Sequence, residues 1–187
     1  VNTVTLGRWQ SVSINVSREE WRERQRRPRL QIDDADAIRA QLSLPARVAV
    51  ESETGSTVVG DNGLTASGVR VTGASPEIFT IRDYEIAQGR TFSTQEAESG
   101  APVVVIGSET AERVFEGLEP VGRTLRIRGF PYRIIGVLEE KGSLFGQSLD
   151  NLVIAPARSP IRRITAPRGF VDTIIIKAID SDQLREI

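Results

Sequence analysis

The sequence predicts an α+β protein, in which both ends of the chain build one subdomain of βαβ units and a β-rich subdomain is inserted between them. Three observations predict it. Strand, helix and strand patterns open the chain, short apolar runs broken by turn residues fill the middle, and an apolar strand followed by a helix start closes it. Composition permits such a core. At 187 residues, 39% hydrophobic and 26% charged, the chain can bury roughly 70% of its unfolded surface and is too apolar for disorder.

The opening segment runs to about residue 53. Val12–Val16 alternates apolar and polar residues, as a half-buried strand does. Ser17 followed by Glu20 is a capping-box signature for a helix that Pro28 ends. Its arginines (Arg18, Arg22, Arg24, Arg26, Arg27, with Arg29 beyond) and Trp21 can be read as a lipid-headgroup or nucleic-acid patch. The favoured reading of 17–29 is a solvated helix paired with itself, because Glu20–Arg24 and Glu23–Arg27 sit four residues apart. Asp33 or Asp34 is then expected to cap a second helix to about Leu44, with Ala37, Ile38 and Leu42 as its apolar stripe. Asp33, Asp34 and Asp36 lack the Gly and terminal Glu of a calcium loop; acids at a helix start complement its dipole. Arg47–Glu51 completes the strand–helix–strand unit.

Turn chemistry dominates from 54 to 156. Asp61-Asn62-Gly63 between Thr57–Val59 and Leu64–Ala66 signals a hairpin, since Asn and Gly tolerate positive φ. Val69–Val71 continues toward Gly73. A polar loop is expected after Gly89-Arg90-Thr91-Phe92, before Val103–Ile106, a fully apolar run suited to a buried strand. Ser108 is expected to cap a helix that turns Ala111, Val114 and Phe115 inward and stops at Gly117. Leu125–Arg128, a turn at Gly129-Phe130-Pro131 and Tyr132–Leu138 form a further hairpin, and Asn151–Ile154 a strand before Pro156. Residues 157–170, with Pro160, Pro167, Gly169 and four arginines, read as an exposed loop. Thr173–Ile176 is a buried strand, and Asp180 or Ser181 begins a last helix that the chain end cuts short.

The same residues narrow the chemistry. The chain has no cysteine, so disulfides, thiol nucleophiles and thiolate metal sites are excluded. Without histidine it also lacks the commonest catalytic base and metal ligand. Gly146-Gln147-Ser148-Leu149-Asp150 approaches a nucleophile elbow but lacks the closing Gly, and no Ser-His-Asp triad can form. No Walker A or dinucleotide fingerprint occurs. Glu139 and Glu140, as neighbours on a strand, are expected to face opposite ways, which disqualifies them as a carboxylate pair. Asn15-Val16-Ser17 is a glycosylation sequon, a motif short enough to arise by chance. No catalytic, cofactor-binding or metal-ligating residue is therefore expected, and no cofactor. A net charge of -1 and 5% aromatics argue against a nucleic-acid partner. The absence of methionine, even at position 1, is expected of an excised or processed piece. No signal peptide or bilayer-length apolar run is present, so any membrane attachment is expected outside these residues.

A series of short motifs then resembles one family. Ser75–Phe79, Asp83-Tyr84, Gly89-Arg90-Thr91-Phe92-Ser93 and Glu96 are similar to the G-R-x-F segment of MacB-like periplasmic core domains. Val103–Gly107, Ala111, Phe115, Pro120–Arg123 and Leu125–Ile127 follow in the family's order, as do Phe130, Arg133–Val137, Lys141-Gly142, Asp150-Asn151 and Ile154–Pro156. The Arg-rich stretch at 17–29 departs from it, since many relatives carry a Gly-rich loop there. Most matched residues read as structural: Gly89, Gly107, Gly122 and Gly136 as turns or close backbone approaches, and Phe92, Phe115 and Ile127 as core. Arg90 is expected to brace a loop through carbonyls, with partner binding as the lesser alternative.

The resemblance, to the MacB/FtsX/LolC–LolE group of ABC transporter permeases, implies a porter subdomain at 1–53 and 157–187 and a sabre subdomain at 54–156. It implies an extracytoplasmic domain of an inner-membrane protein, between the first two transmembrane helices, passing ATP-driven motion to the periplasm. The ATPase would be a separate nucleotide-binding subunit or domain, reached through transmembrane helices outside the sequence. The other implied partners are a periplasmic adaptor or lipoprotein, and a second permease copy in a homo- or heterodimer; the isolated domain can be a monomer. The alternative is a recognition module that binds substrate or adaptor directly.

Overall fold

The computed structural model describes residues 3–7, 29–43 and 45–179. The expected strand at 12–16, the sequon, the helix from Ser17 to Pro28 and the helix start at Asp180 or Ser181 lie outside the described residues.

Among the described residues nine strands form one sheet in the order β1 (Thr3–Gly7), β13 (Thr173–Ala178), β3 (Ala46–Gly60), β4 (Thr65–Ala74), β11 (Leu152–Pro156), β6 (Val103–Ile106), β8 (Phe130–Leu138), β5 (Ile86–Gly89), with β7 (Thr124–Ile127) pairing both β3 and β8. That double pairing closes β3, β4, β11, β6, β8 and β7 into a ring, which hides strand edges that an open sheet would present. Two short ladders complete the strands, β2 (Leu30–Gln31) with β12 (Phe170–Val171), and β9 (Ser143–Leu144) with β10 (Gln147–Ser148). The helices among the described residues are α1 (Ile32–Gln41), α2 (Glu77–Ile81), α3 (Thr94–Glu98), α4 (Ser108–Phe115) and α5 (Arg162–Thr165). Mixed α and β content matches the expected class.

Strand β3 organises the molecule. Sequence alone predicts its first residues, 47–51, and its last, 57–59, as separate pieces, yet the backbone runs through as one strand of 15 residues. Its first part pairs with β13, from Ala46↔Ala178 to Glu51↔Thr173. Its remainder pairs with β4, from Glu51↔Ala74 to Val59↔Thr65, and its last residues also with β7. Strand β1 pairs with the other side of β13, so β1 and β3 are parallel with β13 between them, a split βαβ with α1 in the crossover.

Burial follows the pairing. Inside the ring lie Val58, Val69, Val104, Ile106, Val114, Phe115, Leu125, Ile127, Tyr132 and Ile134. A second group, centred on Ile78, Phe79, Phe92, Val105 and Ile154, also takes in Ala49 of β3 and Ile175 of β13. A third packs Ile32 and Ala35 of α1 on Val48, Val50, Ile174 and Ile176.

Several local expectations need correction. Helix α1 is capped by Gln31, not by Asp33 or Asp34; Asp34 occupies the first turn and its carboxylate accepts the Gln31 N–H at 2.7 Å. It ends at Gln41, and its inward stripe is Ile32, Ala35, Ile38 and Leu42, leaving Ala37 exposed. Gly107, not Ser108, is the N-cap of α4. The turn between β7 and β8 is Arg128-Gly129, both at positive φ, so Phe130 and Pro131 belong to the strand. Glu139 and Glu140 lie past the end of β8 and are exposed. The polar loop after Phe92 contains α3, which the Ser93–Glu96 capping box starts. Finally, 157–170 is no exposed loop. It carries α5, and Ala157, Ser159, Ile161, Thr165 and Ala166 are buried, because the chain folds back under the ring and inserts Ile161 into its core.

Candidate functional site

Three features lie where the molecule could do work. The first is the seam along β3, where α1, the first part of β3 and β13 meet α2, the turn after it and β4. Ion pairs cross it: Glu51 with Arg82 at 2.6 Å, Lys177 with Asp83 at 3.2 Å, and Glu53 with Arg70 and Glu77 with Arg39 at 3.8 Å each. Lys177 also reaches the Thr80 and Ile81 carbonyls. Burial pushes the Glu53 carboxyl above its ordinary value, against the pull of Arg70, and burial likewise raises the Tyr84 phenol. Each of these partly solvated pairs stabilises by only about 0–1 kcal/mol. Apolar contacts beneath them, Ala49 and Ile175 against Ala74, Ile78 and Phe79, make the seam cohesive.

Where α1 faces α2 and α3, the seam opens into a cleft of about 110 Å³, lined among others by Ala35, Asp36, Arg39, Glu77, Ala97 and Arg158. Arg39 bonds Asp36 at 2.7 Å and the Val48 carbonyl at 3.0 Å, while Arg158 bonds Asp33 at 2.9 Å. One Glu77 oxygen is buried there without a hydrogen-bond partner. The cleft is well short of the several hundred Å³ typical of a site for a drug-sized molecule.

The second feature is the G-R-x-F segment. Arg90 grips Glu96 with two nitrogens, each 2.8 Å from a carboxylate oxygen, and donates to the Thr91 carbonyl at 3.0 Å. The same carboxylate accepts the Ser93 N–H at 2.8 Å, and Ser93 Oγ accepts the Glu96 N–H at 3.2 Å. Arg90, followed by the Ser93 amide, holds the Glu96 carboxyl down to about 2. The expected brace is thus present, but it works chiefly through a carboxylate rather than through carbonyls. Phe92 beneath it is buried edge-on against Phe79, with ring centroids 5.1 Å apart. Gly89 and Gly136 face each other between β5 and β8, and a Cβ would lie 2.2 Å from the Ile135 carbonyl oxygen at Gly89 and 2.4 Å from the Arg90 carbonyl oxygen at Gly136. Close approach therefore requires glycine at both positions.

The third feature was not legible. Residues 141–150 form a projecting β9–β10 hairpin, and Asp150 ties its base. The buried Asp150 carboxylate accepts the Lys141 N–H at 2.8 Å and the Gly142 N–H at 2.7 Å, and Leu149 N–H donates to the Gly142 carbonyl at 2.9 Å. This accounts for the Lys-Gly and Asp-Asn elements of the resemblance. At the tip, Leu144 and Phe145 are exposed. Apolar residues read as core from sequence, and only the two-residue turn chemistry of Phe145-Gly146 could have placed them outside. Nothing in any of the three features aligns a nucleophile with a base.

Comparison with known proteins defines the class first. The fold is shared with extracytoplasmic parts of ABC-type transporters: the periplasmic region of MacB from Actinobacillus actinomycetemcomitans superposes with a TM-score of 0.74 at 20% identity, covering 96% of this chain and 76% of that one. The extracellular domain of the noncanonic ABC-type transporter YknZ from Gram-positive bacteria gives 0.73 at 18% identity, covering 98% and 87%. The MacB-like periplasmic core domain model matches residues 2–187, and the chain belongs to that family. It is thus a periplasmic-type, extracytoplasmic domain of an ABC transporter permease. Among curated relatives, macrolide export ATP-binding/permease proteins MacB of Rhodospirillum rubrum and Bdellovibrio bacteriovorus are 32% and 29% identical over 82% and 86% of the chain. The chain spans about a quarter of their length, 23% and 24%.

Proposed function

We propose that this domain is a rigid lever of an ABC permease, carrying motion driven by ATP in the cytoplasm to partners outside the membrane. In this reading 1–53 and 157–187 are the membrane-proximal porter and 54–156 the sabre. ATP is hydrolysed on a separate nucleotide-binding domain or subunit, the permease works as a dimer, and a periplasmic adaptor or lipoprotein receives the motion. Relatives named for macrolide export support efflux as the output. The observation that carries the proposal is β3. One strand pairs with β13, near the described end of the chain, and with β4 and β7 far from it, and a close-packed core crosses the seam. Packed interiors transmit displacement rather than absorb it. The cleft's small volume weighs against the alternative in the form of a module that binds substrate in this cleft.

Distance measurements between spin labels in the intact transporter test this. Labels at Asp61→Cys, in the β3–β4 turn, should change their separation between the two copies when ATP binds. An Asp36→Cys/Glu98→Cys pair across the cleft of one copy should keep its distance. An ATP-dependent change across the cleft would favour the recognition module, and static Asp61 labels would end the lever reading.

A further inference from the structure

The geometry points to the β9–β10 hairpin as a docking peg: its tip, Leu144-Phe145, inserts into an apolar socket, rimmed by basic residues, on an extracytoplasmic protein. This rests on the reading of the chain as an extracytoplasmic permease domain.

Three observations of the hairpin itself carry it. Phe145 is 98% exposed and Leu144 56%, a contiguous apolar tip on a two-residue turn. Phe145 has φ +50 and Gly146 φ +79, a turn whose first position favours Asn, Asp or Gly. A bulky aromatic there serves neither the turn nor the core, and an aromatic side chain offers 150–250 Å² for burial on a partner. The base, in contrast, is held firmly by the Asp150 carboxylate and the Leu149–Gly142 bond, so that little ordering remains to be done on binding.

Charge selects the occupant. Glu109, Glu112 and Glu140 line the hollow beside the hairpin together with Ser143 and Ser148, and Glu139 is exposed next to Glu140. The nearby cations are occupied. Lys141 lies 4.4 Å over the Tyr84 ring and donates to the Arg82 carbonyl, and Arg113 pairs with Glu109. An apolar peg on an acidic shoulder complements a socket with a basic rim. A second copy meeting it across a two-fold axis would set the same carboxylates against each other, and anionic lipid would repel them.

Position agrees. Thr3 pairs with Lys177, and Ala178 with Ala46, so the outermost described strands end together at the start of β3. The hairpin feeds β11, whose first residue Leu152 is level with Arg70 and hence with Gly55. That is nine residues along β3 from Ala46. The hairpin thus joins the sheet beyond the level at which β1 begins and β13 ends.

The test uses the full transporter. A photo-reactive phenylalanine at position 145 should form, on irradiation in cells, an adduct with an extracytoplasmic protein at an apolar site flanked by Lys or Arg. That protein, purified, should bind wild-type transporter at least about tenfold more tightly than Phe145→Ala, with Phe145→Trp close to wild type. Glu112→Lys/Glu140→Lys should weaken binding, and so should added salt. Unchanged thermal unfolding of Phe145→Ala would show that the loss is one of contact. Adducts only to lipid, to a second copy or to residues 8–28 of the same chain would overturn the proposal, as would equal binding by Phe145→Ala. The lever reading fails separately: Asp61 labels would then stay still in wild type, whereas loss of docking alone leaves their ATP response intact in Phe145→Ala.

Discussion

Replacing Asp150 isolates the anchor beneath the hairpin. The residue is 6% exposed, and its carboxylate accepts two backbone N–H groups, from Lys141 and Gly142, at 2.8 and 2.7 Å. A hydrogen bond to a charged group contributes about 1.5–3 kcal/mol. Two such bonds set an upper figure of about 6 kcal/mol. Water can reach part of the exposed loop once the carboxylate is gone and satisfy one of the amides, so Asp150→Ala is expected to cost about 2–4 kcal/mol. Asp150→Asn keeps one oxygen and turns an NH2 toward the other donor, so roughly half that loss is expected. The close fit of the neighbourhood sharpens the expectation: a Cβ at Gly107 would lie 2.1 Å from the Asp150 carbonyl oxygen, leaving no room for the chain to slide and re-form its contacts. Urea unfolding of the domain measures the cost, and amide exchange at Lys141 and Gly142 localises it. Protection at both amides should fall well before the ring strands exchange. If Asp150→Ala unfolds within about 0.5 kcal/mol of wild type, or if those amides keep their protection, the anchoring argument is wrong.

Two further perturbations probe the β5–β8 contact and the brace beside it. Gly136→Ala places a Cβ 2.4 Å from the Arg90 carbonyl, a backbone atom that cannot turn aside; a loss of about 1–3 kcal/mol is expected, read from the unfolding midpoint, and full stability would mean that β5 moves freely over β8. Glu96 ionises near pH 2 in the folded protein and near 4.3 when unfolded, so its stabilisation is complete above about pH 4.3 and disappears as pH falls toward 2. Because Arg90 is 57% exposed, the pair is screened and its contribution is about 1 kcal/mol. Glu96→Gln should remove that much at pH 7 and flatten the acid limb of a stability–pH curve; an unchanged limb would refute it.

The structure shows which parts of this fold a local pattern can reveal. The Asp61-Asn62-Gly63 turn, the run Val103–Ile106, the inward face of α4 and the strand at Thr173 were all legible, because each depends on period or turn chemistry within a few residues. So was the family, because its motifs recur in order along the chain. The Ser93–Glu96 box is equally local, but the polar residues around it give no apolar period to mark a helix. The seam was not legible, because Glu51, Arg82, Asp83 and Lys177 meet across long separations in sequence.

By itself the sequence determined that this is an α+β chain with no cysteine or histidine chemistry, and which family it resembles. Only the tertiary structure decided that 46–60 is one strand, that Val58↔Ile127 pairing closes the sheet into a ring, and that Ile161 lies inside while Phe145 lies outside. The reason is physical. Isoleucine and phenylalanine carry the same preference to leave water wherever they stand in the chain, and which of them can act on it depends on the space that distant strands enclose.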